Sequence, residues 1–218
     1  MTKIVDLSHP IENGMITYTG LPGPKISDHL SRTASRGHYA EGTTFQIGKI
    51  EMVANTGTYI DAPFHRYKAG KDLSQLDLAA VAYLNGLVFH APPDSRAITP
   101  DIFNNRDLRN KAVLVHTGWD LHWGSEKYFE DHPYLTRQSA EYLKSAGAAL
   151  VGIDSLNIDD NTDGNRPAHT ILLGSEVPIV EHMCNLSALP DGSFKFFAVP
   201  APVKGMGSFP VRAFAMIE

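Results

Sequence analysis

Cysteine is nearly absent. Cys184 stands alone in 218 residues, so no intrachain disulfide can form. Runs of basic residues are missing too. No Lys/Arg stretch exceeds two residues and the formal net charge is -5, so the electrostatic footprint of a nucleic-acid binder is lacking. No apolar stretch approaches the roughly 18 residues that cross a bilayer. The opening MTKIVDLSHPI has no basic segment followed by a long apolar one, so no signal peptide is expected. Internal repeats, low-complexity tracts and charge blocks are also absent. These absences favour a cytoplasmic protein whose partner is a small molecule, with no nucleic acid and no membrane.

What is present is ordinary globular composition, 43% hydrophobic and 20% charged, long enough to bury a sizeable core. KIVDLSHPI alternates and reads as a strand. Tyr18 to Ile26 holds two glycines and two prolines and reads as an irregular loop. Thr44 to Ala54 carries apolar residues at mostly period-2 spacing, predicting one long strand or a hairpin broken near Gly48. GLVFHA, KAVLVHT and AALVGID are short apolar runs expected as buried strands. Thr136 to Gly147 predicts a helix, capped by Thr136 and closed by Gly147. Asp154 to His169 reads as a polar loop. EVPIVEHMCNLSAL, FKFFAVPAPV and VRAFAMIE read as further strands. No long polar linker divides the chain. The expectation is one mixed α/β domain over 1–218, a β-rich core flanked by helices.

The densest chemistry lies in NTGTYIDAPFH, Asn55 to His65. In an extended chain Asn55 would lie about 13 Å from Tyr59, at roughly 3.3 Å per residue. A bend at Gly57 is needed for both to meet one ligand, and glycine tolerates it. Pro63 then fixes the path that brings His65 round. An Asp and a His four residues apart can share a divalent ion. They can equally be a turn cap and a packed ring. Cys184 sits in an apolar setting that raises a thiol pKa and makes it inert. GMGSF around Ser208 lacks the spacing of a nucleophile elbow. Trp119 and Trp123 are expected mainly in the core, and His182 is expected to face outward.

This segment resembles the H-x-G-T-H-x-D-x-P-x-H signature of the cyclase or kynurenine-formamidase-like family of metal-dependent hydrolases. Gly57, Thr58, Asp61, Pro63 and His65 match, whereas Asn55 and Tyr59 stand at the two remaining histidine positions. VDLSHPI, LVHTGWD, GIDS, AHTILLGSEVPIVEHMCNL and VPAPVKGMGSFPVRAFA are similar to further blocks of that family. The resemblance implies a cyclase-like swivelling β/β/α fold and a homodimer or homotetramer. It also implies hydrolysis of an amide, lactam or ester bond in a small, often aromatic molecule. One divalent ion, zinc or manganese, would be held by Asp61, His65 and Glu181. His169 would transfer protons, with Asp61 and Tyr59 assisting catalysis. Asn55, Tyr59, Tyr18 and Phe64 would contact the substrate. A metal-free binding protein, or a lyase or isomerase on the same scaffold, is the alternative that Asn55 and Tyr59 keep open.

Overall fold

The computed structural model describes residues 2–103 and 106–217. In chain order the strands are β1 (Lys3–Asp6), β2 (Lys25–Leu30), β3 (Ile47–Glu51), β4 (Tyr59–Asp61), β5 (Leu84–His90), β6 (Ala97–Ile98), β7 (Lys111–His116), β8 (Tyr134–Leu135), β9 (Leu150–Ile153), β10 (Ile179–Glu181), β11 (Phe194–Phe197), β12 (Ser208–Pro210) and β13 (Phe214–Ile217). The helices are α1 (Arg137–Ser145) and α2 (Pro167–Leu173). Glu218, the end of the last predicted strand, lies outside the described residues.

Nine strands make one sheet in the order β1-β13-β11-β5-β7-β9-β10-β4-β12. Its centre, β5-β7-β9-β10, is parallel, and the flanking pairs are antiparallel. The central strands are apolar on both faces because both faces are covered. Leu87, Phe89, Val113, Val115, Val151 and Ile153 meet Ala140 and Leu143 of α1 and Leu172 of α2. The alternate residues, Val88, Ala112, Leu114 and Leu150, share a second core with Val5, Phe194, Phe196 and Ala215 from the flanking strands. The sheet curls to bring those strands over its own centre, while the two helices cover the outer face. Each fully buried Leu, Val or Phe contributes roughly 1.5–3 kcal/mol relative to exposure. The expected mixed α/β class is what the chain adopts.

Helix α1 follows its sequence cues. The Thr136 hydroxyl accepts the Ser139 N–H at 3.2 Å, and Gly147 follows the helix at φ +76°. Ser139, Ala140 and Leu143 are buried.

Three expectations are corrected. The alternation over Thr44 to Ala54 yields only β3, which pairs with β2 in an exposed two-stranded ribbon, away from the core. Its Ile26, Ile47 and Ile50 remain nearly half exposed. Period-2 spacing marks a strand but does not say what covers its apolar face. The loop before His169 ends in α2, whose first turn is held by a carboxylate eight residues upstream of Pro167 rather than by an adjacent cap. Asp159 accepts the N–H groups of Ala168 and His169 at 2.6 and 3.0 Å. His182 faces inward: it is fully buried against Tyr59, Trp123 and Tyr128, with its Nδ1 2.9 Å from the Tyr128 hydroxyl. A positive φ of 53° breaks the strand alternation there. Among the described residues, no helix is long and apolar enough to cross a membrane.

Candidate functional site

The site is built on β4, a strand of three buried residues. Gly57 bends the chain just before it at φ +65°, and its N–H donates to the Thr17 hydroxyl at 2.8 Å. Along β4, Ile60 enters the core while Tyr59 and Asp61 point to the other face. Cross-strand register supplies their partners. Glu181 on β10 lies opposite Tyr59, and Ser208 on β12 lies opposite Asp61. The Tyr59 hydroxyl donates to Glu181 Oε2 at 2.6 Å, and the Ser208 hydroxyl donates to Asp61 Oδ1.

After β4 the chain enters a 3-10 turn, Pro63–His65, with the proline at its first position. That turn returns the His65 ring to Asp61, Nδ1 standing 2.8 Å from Ser208 Oγ and 3.5 Å from Asp61 Oδ1. Gly207 permits the approach. A Cβ there would sit 2.4 Å from the His65 backbone nitrogen, so no larger residue fits without displacing the turn.

His169 arrives from α2. Its Nδ1–H donates to Asp159 at 2.7 Å, which fixes the ring and turns Nε2 toward Asp61 Oδ2 at 3.5 Å and Glu181 Oε1 at 3.8 Å. Burial opposes a charge on this ring. The surrounding Glu181, Asp159 and Asp61 outweigh it and raise its pKa to about 10. Burial likewise opposes ionisation of Asp61, but the His169 and His65 rings and the Ser208 hydroxyl hold it below the ordinary carboxylate range. For Glu181 burial prevails and the shift is upward. Tyr59 is pushed well above the ordinary phenol range, first by burial and then by the charges of Glu181 and Asp61. It therefore keeps its proton and acts as a donor.

These groups open onto a cavity of about 360 Å³. Tyr59, His65, His169 and Glu181 line its reactive end. Asn55, Asn157 and Arg166 add polar walls, and Tyr18 to Leu21 closes the remaining side. The volume lies within the usual range for small-molecule sites.

The expected residues are mostly brought together. Ligand atoms of Asp61, His65 and His169 all lie within 4.8 Å of one another. Glu181, expected with Asp61 and His65, is not part of that convergent set. The reason is local: Tyr59 occupies Oε2, and the Ile158 N–H occupies Oε1 at 2.6 Å. Tyr18 and Asn55 line the cavity, whereas Phe64 does not. Phe64 sits one place before His65 on a 3-10 turn, where successive side chains diverge by about 120°. Sequence reading passed over Asp159, Asn157, Arg166 and the bridging role of Ser208. Asp159 and Arg166 flank a polar loop without a recognisable spacing, and the pairing of Ser208 with Asp61 spans 147 residues.

A second group, His116, Asp120 and Asp154, also has ligand atoms within 4.8 Å of one another, so the described residues hold two candidate metal-ligand clusters. Cys184 is buried, and burial raises its thiol pKa to about 12.

Comparison with known proteins agrees with this architecture. Kynurenine formamidase of Geobacillus thermodenitrificans is 33% identical over 181 residues, 82% of this chain and 84% of that protein. A solved structure of a potential metal-dependent hydrolase with cyclase activity superposes with a TM-score of 0.82 at 24% identity, covering 100% of this chain and 99% of the other. Isatin hydrolase A from Labrenzia aggregata superposes with a TM-score of 0.83 at 20% identity, covering 99% and 94%. At these identities the two structures establish a common fold. The Cyclase family model matches residues 5–160, and with that match and the identity to a formamidase the chain belongs to the cyclase family.

Proposed function

We propose that this chain is a metal-dependent hydrolase that cleaves an amide, lactam or ester bond in a small, aromatic-sized molecule. One observation carries the reading. Asp61 Oδ2 is fully buried with no hydrogen-bond partner among the described residues, 3.5 Å from Nε2 of His169, and His169 and the neighbouring His65 both line the cavity. An orphaned buried carboxylate oxygen costs on the order of 1–3 kcal/mol or more, so something is expected to occupy it.

The donor set fits a divalent ion. One carboxylate and two imidazoles form a three-ligand site with an open position, suited to zinc or manganese. Asp159 on His169 Nδ1 is the outer partner that a metal-binding histidine commonly has. Asn55 and Tyr59 do not fit as ligands, because a neutral amide is a weak donor and Tyr59 holds its proton. Asp61, His65 and His169 would hold the ion, with His169 giving up on binding the proton that its carboxylate neighbours otherwise favour, and the ion would polarise the scissile carbonyl and make water acidic enough to act as a nucleophile near neutral pH. Glu181 lies 3.8 Å from His169 and is steadied by Tyr59 and Ile158, a placement suited to moving a proton between water and leaving group. Asn55 and Tyr59 would orient the substrate carbonyl by hydrogen bonds. The names of the formamidase and isatin hydrolase relatives support formyl-amides and lactams as the first substrates to try. Assembly as a homodimer or homotetramer, with the chain acting as one domain, belongs to the same proposal.

The test combines elemental analysis with a screen of formyl-amides, lactams and lactones, with and without zinc or manganese. His65→Ala is expected to lose bound metal and metal-stimulated turnover together. Unchanged metal stoichiometry in that variant would overturn the ligand assignment. A second reading, acid–base chemistry without metal, is favoured by the hydrogen-bonded Tyr59–Glu181 pair beside His169. Full turnover after exhaustive chelation would select it.

A further inference from the structure

Among the described residues Arg166 is the one cationic side chain other than histidine in the cavity wall, and the chain holds it there at a cost. Its φ is +48°, a left-handed conformation that non-glycine residues adopt unfavourably. Pro167 follows, which disfavours the ordinary helical alternative. The guanidinium is fixed by three groups of the same loop. Nη2 donates to Asn157 Oδ1 at 2.8 Å, Nη1 donates to Asn161 Oδ1 at 3.1 Å, and Nε stands 3.8 Å from Asp159 Oδ2.

Two of these three partners are neutral. The third is already committed, since Asp159 accepts from two backbone N–H groups and from the His169 ring. Arg166 therefore shares with His169 the one carboxylate paired with it among the described residues, although its side chain is only 26% exposed. Of the five N–H bonds a guanidinium carries, the three contacts leave one on each terminal nitrogen. Two such donors suffice in number for the two oxygens of a carboxylate. Tyr18 and Leu21 line the same cavity, an aromatic and an aliphatic side chain. The cavity wall thus combines reactive groups, apolar groups and one cation with spare donors.

We propose that Arg166 receives a carboxylate of the substrate, so that the enzyme selects small molecules carrying an anionic group as well as the bond to be cleaved. This rests on the hydrolase reading above and narrows its substrate class. The three monocarboxylated isomers of formanilide, set against formanilide itself, isolate the effect, because all share the same scissile bond.

Wild-type protein is expected to favour at least one carboxylated isomer by about 10- to 100-fold in kcat/KM, expressed chiefly in KM. Arg166→Gln is expected to bring that ratio toward one, and Arg166→Lys to keep part of it. A wild-type ratio near one overturns the proposal. So does an Arg166→Gln variant that weakens both kinds of substrate equally, because the residue would then merely brace the loop. Calorimetric binding of the same four compounds keeps the test independent of turnover. If none is hydrolysed, formanilides are not substrates, the hydrolase reading passes to the lactam and lactone screen, and binding alone judges Arg166. A carboxylate-dependent affinity lost in Arg166→Gln still supports the role of Arg166, and equal affinities for all four overturn it.

Discussion

Two clusters of the same residue types differ in what their carboxylates already hold. Asp154 accepts the Thr117 N–H at 2.7 Å and the Thr117 hydroxyl at 2.6 Å on one oxygen, and the Gly118 N–H at 2.9 Å on the other. It ties the turn after β7 to the end of β9. Asp61 uses one oxygen on Ser208 and leaves the other without a hydrogen bond, 3.5 Å from the His169 ring. Both carboxylates are fully buried, yet their pKa values move in opposite directions. Burial raises Asp154 to about 7, whereas neighbouring rings and Ser208 hold Asp61 down. Residue type and proximity therefore do not separate a braced turn from a reactive centre. The unused lone pair and the adjoining cavity do.

Paired substitutions sharpen this contrast. Asp61→Asn is expected to reduce hydrolysis by on the order of 10³-fold or more, because it removes a group on which the whole set depends. Asp154→Asn is expected to lower stability by about 1–3 kcal/mol through mismatched donors, with metal content unchanged. Elemental analysis and thermal unfolding of the two variants would break the comparison if the effects were reversed. A smaller effect is expected at Tyr59. Tyr59→Phe leaves Glu181 Oε2 buried without its donor, and turnover should fall by about 10²-fold while bound metal persists. Loss of the metal in that variant would place the phenol among the ligands.

The mildest effect concerns pH. His182 is lowered to about 3 and His9 to about 4, in both cases mainly by burial. Unfolded imidazoles titrate near 6.5. Below that pH the unfolded chain binds protons that the folded chain refuses, so stability is complete above about 6.5 and declines as pH falls toward 4. His182 alone accounts for about 2 kcal/mol at pH 5. His169 has the opposite sign: its stabilising contribution is full below 6.5 and is lost as pH rises through about 10. Thermal unfolding between pH 7 and pH 5 should show the decline, and His182→Gln should flatten it.

Much of the centre was legible in the residues. Valine-rich runs bounded by breakers became β5, β7 and β9, and the Thr136 cap and Gly147 stop framed α1. Asp61 and His65 follow from the motif and His169 from the family resemblance, and Gly57 bends as the distance from Asn55 to Tyr59 required. What escaped depends on pairing between distant segments. Ser208 meets Asp61 through strand register, Glu181 is claimed by Tyr59 across two strands, and Asp159 both starts α2 and orients His169. No local pattern encodes such partners. His182 was misplaced because a left-handed residue at the strand end reverses the alternation that sequence reading assumes.

The ribbon of β2 and β3 has one more consequence. Two strands with exposed faces are marginal by themselves, and the segment Tyr18 to Leu21 that walls the cavity runs into β2 only a few residues later. Local opening is therefore cheapest at the margin of the ribbon, beside the Tyr18 to Leu21 wall of the cavity, rather than within the nine-stranded sheet.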